Sequence, residues 1–280
     1  MAHSSPSHHD PILTVEPVKA GRIMLINPDR VVYASLLGAP STRKLGSLTV
    51  YASLGTPFRI SVAGSAWRTE EMAVVPPHTP HRIVCDDRVI GVLMIEPESI
   101  DAGHLPPFLR AARAEAGRAG VPGRIRESFF SLMRGDMRVS RATADLDRLF
   151  FGQALERRHL DPRIAAVVHQ VKEAPCEQFS ADACSQLAGL SFSWFLHLFK
   201  AEVGITFRCF RAWKRARSFL NYVKVSNLTD VALRIGYPDS THFSHSIRNV
   251  YGLRPKDICA GSRRLAVVSH AGGVVTGNPV

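Results

Sequence analysis

SFSWFLHLFKAEVG, from Ser191 to Gly204, occurs a second time in altered form as DSTHFSHSIRNVYG, from Asp239 to Gly252, 48 positions later. Aligned without gaps, the copies repeat a phenylalanine, a histidine, a basic residue and the closing glycine. The apolar residues recur at intervals of three and four, which predicts an amphipathic helix in each copy. Each copy opens on a residue that can cap a helix N-terminus and closes on a glycine suited to a left-handed C-cap. The chain therefore predicts two copies of one helix.

A shorter helix is predicted in front of each copy. Residues 180–188 are followed by Gly189-Leu190, and residues 227–235 by Gly236-Tyr237. Helix, glycine-containing turn and helix make up a helix-turn-helix motif, whose second helix can enter a DNA major groove. One such pair alone is more often an ordinary helical hairpin. Two pairs in direct repeat, each with a polar and basic outer face, favour DNA binding.

The side chains on the outer faces of the repeated helices are the candidate DNA contacts. They are predicted to lie on the side of each helix opposite Phe195 and Phe243. In the first copy they are Ser193, Leu196, His197 and Lys200, and in the second they are Ser240, Thr241, Ser244, His245 and Arg248. Contact with base edges and contact with phosphates remain alternatives for the two histidines.

A basic amphipathic segment, FRCFRAWKRARSFLNY at residues 207–222, joins the two helix-turn-helix motifs. Its apolar residues are predicted to share one face, and they are Cys209, Ala212, Trp213, Ala216 and Leu220. The basic residues that occupy much of the remaining surface are Arg208, Arg211, Lys214, Arg215 and Arg217. Taken alone, such a pattern is typical of a solvated helix face or of an amphipathic helix at a membrane surface.

Residues 160 to 260 resemble the DNA-binding domain of the AraC/XylS family of transcription regulators, and we assign that domain to residues 160–262. The stretches that carry the resemblance are GLSFSWFLHLFKAEVGITFRCFRAWKRA and DVALRIGYPDSTHFSHSIRNVYGLRPKDI. The second matches the most diagnostic segment of the family at Asp239, His242, Phe243, Ser244, Gly252 and Pro255. The resemblance implies that the linker helix holds the two recognition helices in a fixed relation. They would then bind two short sequence elements of promoter DNA, which we call boxes, about one helical turn apart.

His197 and His245 depart from the family pattern, which commonly has an arginine at each position. Arginine can donate two parallel hydrogen bonds to guanine, whereas a histidine offers one donor or one acceptor to a base edge. Leu196 on a groove-facing surface would suit a thymine methyl group. The operator sequence of a relative therefore cannot be transferred to this chain, and its two boxes are expected to differ.

Residues 21–96 contain short β-prone runs separated by turn residues, at positions 31–36, 48–51, 58–62, 72–75, 82–85 and 89–95. They predict a sandwich or small barrel, in a domain that we assign to residues 15–104. The segment VVPPHTPHRIVCDD, followed by VIGVLMIEPES, resembles the cupin-like effector domain that precedes many AraC-type DNA-binding domains. The resemblance implies a cupin-like barrel that holds a small-molecule effector. Arg59, Trp67 and His81 are the candidates for lining its cavity.

A cupin-type metalloenzyme with a regulatory DNA-binding domain is the main alternative. Cupin metal sites need two or three histidines and a carboxylate converging from different strands. Within the β-rich region the histidines are His78 and His81, both on one turn, and Ser41-Thr42-Arg43-Lys44 stands where a His-x-His pair could occur. We therefore predict no metal, no cofactor and no catalysis. An effector-free regulator and a nonspecific architectural DNA protein remain further alternatives.

Residues 105–159 return to helical spacing and are predicted to form a helical dimerisation segment. Leu146, Leu149, Phe150 and Gln153 lie close together on one helical face. Packing against the β-rich domain is the simpler interpretation of most residues here, and the family resemblance makes one of these helices a dimer contact. The fold class is thus α+β, with a disordered tail at residues 1–14 and a flexible tail at residues 263–280.

Charge and composition agree with these assignments. The chain has 280 residues and a formal net charge of +11. Residues 160–265 hold 15 Lys and Arg against 8 Asp and Glu, and such a surface raises affinity for any polyanion. The five cysteines have no C-x-x-C spacing, and no apolar run suggests a signal peptide or a membrane span. We predict a cytoplasmic homodimer whose partners are double-stranded promoter DNA, a small-molecule effector and RNA polymerase.

Overall fold

The computed structural model describes residues 22–38, 40–87, 89–110, 119–134, 142–263 and 265–269. The predicted tail at residues 1–14 lies outside this part of the chain. A β-rich region comes first and a helical region follows, which confirms the α+β class. No helix in the described ranges is long and apolar enough to cross a membrane.

A six-stranded sheet is the centre of the β-rich region. In spatial order its strands are β6 (Met72–Val75), β3 (Leu48–Ser53), β8 (Val89–Ile95), β2 (Arg30–Leu36), β1 (Ile23–Ile26) and β9 (Ala266–Ser269). Neighbouring strands are antiparallel except for β1 and β9. Every residue of β1, β3 and β6 is buried, so this sheet is covered on both faces.

A smaller sheet covers part of one face of the large sheet. Its three strands, in spatial order, are β5 (Arg68–Glu70), β4 (Phe58–Val62) and β7 (His81–Val84). Phe58 and Ile60 of β4 point inward, where Phe58 meets Tyr51 of the large sheet edge-to-face. Arg59 between them points outward, because successive side chains of a strand alternate between its two faces.

In the part of the chain that the structure describes, three helices cover the opposite face of the large sheet: α1 (Pro107–Arg110), α2 (Val121–Arg134) and α3 (Thr143–Phe151). Leu146 and Phe150 of α3 are buried among Leu93, Phe129 and the apolar residues around them. The prediction that Leu146 and Phe150 form a dimer contact is wrong for this arrangement, because their side chains already fill the core. Leu149 is half-buried and Gln153 is exposed, so a dimer contact through these two stays a prediction.

Within the described residues, seven α-helices make up the C-terminal region. They are α4 (Pro162–Glu173), α5 (Ala181–Leu187), α6 (Phe192–Val203), α7 (Phe207–Ser218), α8 (Leu228–Arg234), α9 (Ser240–Tyr251) and α10 (Pro255–Gly261). We call α5 and α6 the first unit and α8 and α9 the second unit. The two units match in helix length, with 7 residues in each leading helix and 12 in each following helix.

The two units belong to different hydrophobic cores. The first unit packs with α4 and the start of α7 around Phe195, Phe199 and Phe210. The second unit instead belongs to one continuous apolar cluster with the end of α7 and the inner face of the large sheet, where Phe243 and Tyr251 join Met24 and Tyr51. The β-rich region and the second unit are therefore packed as one body.

The chain returns to the large sheet after α10. Strand β9 pairs in parallel with β1, with Ala266 opposite Ile23 and Ser269 opposite Ile26. Val267 and Val268 are buried, one on each side of the sheet. The prediction of a flexible tail at residues 263–280 is corrected for this strand, while residues 270–280 lie outside the described part. The apolar Ala266-Val267-Val268 run could have indicated a strand.

The linker helix α7 buries charged residues that the sequence placed at the surface. Lys214 lies against Glu96 and, at 2.5 Å, Glu98, and Nε of Arg217 lies 2.7 Å from Oε1 of Glu96. Cys209 and Ala212, predicted on the apolar face, are exposed. Lys214 and Arg217 face inward because the buried carboxylates that follow β8 compensate their charge.

Candidate nucleic-acid interface and adjoining cavity

The first unit presents one face of α6 to solvent. Phe195 and Phe199 anchor the opposite face in the core, and Gly204 ends the helix in the left-handed conformation. Ser193, His197 and Lys200 are exposed as predicted, whereas Leu196 is half-buried against the first-unit core. Trp194 is also exposed, and its indole ring stacks on the His197 ring with centroids 5.7 Å apart.

The second unit presents the corresponding face of α9. Phe243 and Ile247 are buried, and Gly252 provides the same left-handed C-cap. The five predicted contacts, Ser240, Thr241, Ser244, His245 and Arg248, are all exposed and line one groove. Arg254 and Lys256 line the same groove from the start of α10. The groove therefore combines hydroxyl groups, an imidazole and three cationic side chains, which suits the edge of a duplex.

The turns between the helices bring each pair together. Gly189 and Gly236 have φ angles of +63° and +80°. At Gly236 a Cβ atom would lie 2.1 Å from the carbonyl oxygen of Cys176, so that turn has no room for a side chain. The first leading helix is capped by Ser180 and the second by Asn227, each accepting a backbone N–H bond.

Three exposed residues of this surface were not among the predicted DNA contacts: Trp194, Arg254 and Lys256. Arg254 and Lys256 flank Pro255, three residues beyond Gly252, and their positive charge was the signal available. Trp194 gave no signal, because the family pattern leaves its position open. Whether these and the nine predicted side chains touch DNA stays a prediction.

Comparison with known proteins assigns the helical region. A family profile described as "Helix-turn-helix domain" matches residues 184–260, which span most of the first unit, all of α7 and all of the second unit. Residues 184–260 are an AraC-type helix-turn-helix domain. Among curated proteins, none matches the sequence.

Solved structures extend the likeness beyond the AraC-type domain. Apo ToxT from Vibrio cholerae is 13% identical with a TM-score of 0.52, over 84% of this chain and 98% of ToxT. ToxT with a bound unsaturated fatty acid is 11% identical, with a TM-score of 0.46 over 84% and 96% of the two chains. The DNA-binding domain of AdpA in complex with a target DNA is 22% identical, with a TM-score of 0.35 over 37% and 95%. The likeness to apo ToxT shows a shared fold across both regions.

An apolar cavity of about 360 Å³ lies where the AraC-type domain meets the large sheet. Its walls come from the inner face of the sheet and from the segments that end the second unit, and they include Met24, Val31, Leu45, Val92, Met94, Tyr251, Leu253 and Ile258. Arg43 also lines the cavity and is only 7% exposed. Among the residues that the structure describes, Nε and Nη2 of Arg43 have no hydrogen-bond partner.

The predicted cavity residues lie elsewhere. Arg59 is exposed on the outer face of β4, and Trp67 is 43% exposed with the Arg82 guanidinium 5.4 Å from its ring centre. Both predictions are corrected, because these side chains point away from the space between the sheets. Arg43, and not Arg59, lines the cavity. Because Arg43 lies between strands, no periodic pattern in the sequence predicted its position.

His81 is buried behind the cavity wall. Its Nδ1 donates to the carbonyl oxygen of Thr79 at 2.9 Å, which leaves Nε2 to accept from the Tyr51 hydroxyl at 2.7 Å. Burial lowers the pKa of His81 to about 4, in spite of the Thr79 hydrogen bond. His81 thus orients Tyr51, which does line the cavity.

The structure does not bring His78 and His81 into a metal site. Both ring nitrogens of His81 are engaged in hydrogen bonds. In the described residues, the group of three potential ligands that converges is Asp101, His104 and Glu156, at the protein surface. His104 and Asp101 there already form a 2.8 Å contact that closes a short 3-10 turn.

Proposed function

We propose that this AraC-type DNA-binding regulator reads two adjacent boxes of promoter DNA with α6 and α9, and that an apolar carboxylic acid bound beside Arg43 controls it. The observation that carries the DNA-binding role is the duplicated unit, with equal helices, matching buried phenylalanines and matching polar outer faces. Each recognition helix follows a tight turn, as a helix that enters a major groove does.

The chemistry of the cavity supports the effector class. A buried guanidinium is costly unless an opposite charge or hydrogen-bond acceptors compensate it. Arg43 faces a mainly apolar space whose polar lining residues also include Tyr51, Asp257 and Ser262. Two of its nitrogens, Nε and Nη2, are unpartnered among the described residues. A carboxylate can accept two parallel hydrogen bonds from a guanidinium, and an aliphatic or aromatic body would fill the remaining volume.

The location of the cavity supports control of DNA binding. Tyr251 and Leu253 close one side of it, and they lie at the end of α9 and just beyond. A ligand that contacts these residues changes the second unit only if it binds one arrangement more tightly than another. We expect the regulator to act as a dimer in the cytoplasm beside its DNA and to have no catalytic activity of its own.

Calorimetry with the full chain tests the effector class. Decanoate is the probe and decanol, of similar length but uncharged, is the matched ligand. Wild-type protein should bind decanoate at least about tenfold more tightly, because a charged hydrogen-bonded pair is worth roughly 1.5–3 kcal/mol. Arg43→Met should remove this preference, and Arg59→Met on the outer face should keep it. Equal binding of both ligands by wild-type protein would contradict the proposed class.

Duplex binding tests the DNA-reading role. Selection from a pool of random duplexes at physiological salt should return a consensus with two boxes of different sequence. A bound pool without any consensus would overturn sequence-specific regulation and favour the architectural alternative.

A further inference from the structure

Trp194 and His197 form an ordered pair on the outer face of α6. Trp194 is the third residue of the helix and His197 lies one turn later, so their side chains are neighbours. The rings are close to parallel, with an interplanar angle of 22° and centroids 5.7 Å apart. Trp194 is 51% exposed, and its uncovered surface lies beside a predicted DNA contact.

The second unit lacks this pair. His242 occupies the position of Trp194, and its Nδ1 lies 2.7 Å from Oδ2 of Asp239, the residue that caps α9. The side chain of His242 is therefore turned back toward the start of the helix. His245, which corresponds to His197, is exposed with no ring stacked against it among the described residues.

We propose that Trp194 is a positioning residue that fixes the His197 ring for base contact, so that the first box is read more strictly than the second. This inference rests on the proposed DNA-reading function. An imidazole can give only one hydrogen bond to a base edge, so its specificity depends on how well its direction is held. Stacking on the indole restricts the His197 side chain before binding, which lowers the entropy cost of ordering it on DNA.

The N-terminal capping of the two helices also differs. Asp239 accepts hydrogen bonds from the backbone of Thr241 and His242, whereas the Ser191 side chain makes no cap hydrogen bond. In α9 the residue at the third helical position, His242, contacts the capping residue Asp239. In α6 the residue at that position is left free to stack on the histidine.

Selection and affinity measurements on the full chain test the inference. The probe is a duplex pool randomised over about three helical turns, or roughly 30 base pairs. Wild-type protein and the variants Trp194→Phe, Trp194→Ala, His197→Ala and Trp194→Ala/His197→Ala are compared. His242→Ala is the matched variant in the second unit. Thermal unfolding of each variant checks that it is folded.

Trp194→Ala should lower affinity for the wild-type consensus by about three- to tenfold and relax base preference at one box, as His197→Ala does. The double variant should bind no more weakly than His197→Ala, because the two residues act through one contact. Trp194→Phe, which keeps a flat ring, should retain most of the preference. His242→Ala should leave base preference at the other box unchanged.

Three outcomes would overturn the inference while the DNA-reading function stands. They are an unchanged consensus for Trp194→Ala, an equal loss of affinity for all duplexes, and additive losses in the double variant. Additive losses would mean that Trp194 contacts DNA by itself. Absence of any wild-type consensus would instead contradict the proposed function.

Discussion

The indole nitrogen of Trp213 donates a hydrogen bond of 2.8 Å to Oε2 of Glu96, and this bond joins the linker helix to the β-rich region. Lys214 and Arg217 lie against the same carboxylate, which is fully buried. Burial alone would raise the pKa of Glu96, but the charges of Lys214 and Arg217 outweigh burial and hold it below its usual value. The orientation of the linker helix therefore depends on buried carboxylates, among which Glu96 contacts Trp213, Lys214 and Arg217.

Glu96→Gln should destabilise the protein by about 3–5 kcal/mol. The amide keeps the shape of the side chain but removes the carboxylate that pairs with Arg217 and leaves Lys214 paired with Glu98, and breaking a buried pair has this cost. Urea unfolding monitored by tryptophan fluorescence gives the free energy. Glu127→Gln is the matched control, since Glu127 pairs with Arg134 at 2.7 Å on the surface, and it should change stability by less than about 1 kcal/mol. Equal losses for the two variants would show that the buried cluster is not structurally important.

His81 should make the protein less stable as pH falls from about 6.5 to about 4. Its pKa is lowered to about 4 in the folded chain from an ordinary 6.5, so the unfolded chain binds more protons between these values. The stability is fully present above the unfolded pKa, and about 3 kcal/mol is lost across this window. In urea unfolding at pH 7.5 and pH 4.5, wild-type protein should lose more stability than His81→Gln by about 2–3 kcal/mol. Identical pH profiles would rule out this role of His81.

Gly236→Ala should be more damaging than Gly189→Ala. Both positions have positive φ, which costs an alanine roughly 1–2 kcal/mol. Only at Gly236 would the added Cβ meet a backbone atom, the Cys176 carbonyl oxygen, whereas at Gly189 it meets nothing within 4 Å. We expect total losses of about 1–2 kcal/mol for Gly189→Ala and about 2–4 kcal/mol for Gly236→Ala. Chemical denaturation of both variants checks the order, and a larger loss at Gly189 would contradict it.

Lys256→Ala should weaken binding to all duplexes equally. Its ammonium group lines the groove beside α9 from the start of α10, where a phosphate contact is expected. The slope of log affinity against log salt should fall by about 1. Titration at several salt concentrations measures this, with Arg157→Ala on the exposed connector as a control that keeps the slope. A change in base preference would identify Lys256 as a base contact instead.

The helical region was largely predictable because its information is local and duplicated. Capping residues, glycine turns and apolar residues at helical spacing lie within each unit, and the structure places Phe195 and Phe243 in equivalent buried positions. The strands β2, β3, β4, β6, β7 and β8 were likewise marked by β-prone runs. Strands β1, β5 and β9 were missed. Strand β5 around Arg68 has only three residues and no apolar pattern, whereas the apolar runs around Leu25 and Val267 were signals for strands that the prediction did not use.

The cavity residues were not predictable for a different reason. Arg59 and Trp67 have the chemistry expected of a ligand site, but the alternation of β4 and the surface turn before β5 direct them to solvent. Arg43 lies in an irregular segment that becomes buried only when residues 41–44 pack against the second unit, where the amide of Lys44 donates to the Val250 carbonyl oxygen at 2.9 Å. That contact joins segments about 200 residues apart in the chain, so no local sequence pattern predicts it.

The sequence by itself determined that this chain has two helix-turn-helix units, which helix of each unit is exposed, and most of the side chains that its outer face presents. These properties follow from capping, turn chemistry and helical periodicity, which act over a few residues. Only the tertiary structure decided that the second unit shares a core with the β-rich region and that Glu96 draws Lys214 and Arg217 inward. It also decided that Arg43 faces the cavity. Burial and charge compensation depend on residues brought together from distant parts of the chain, so they become defined only in the folded protein.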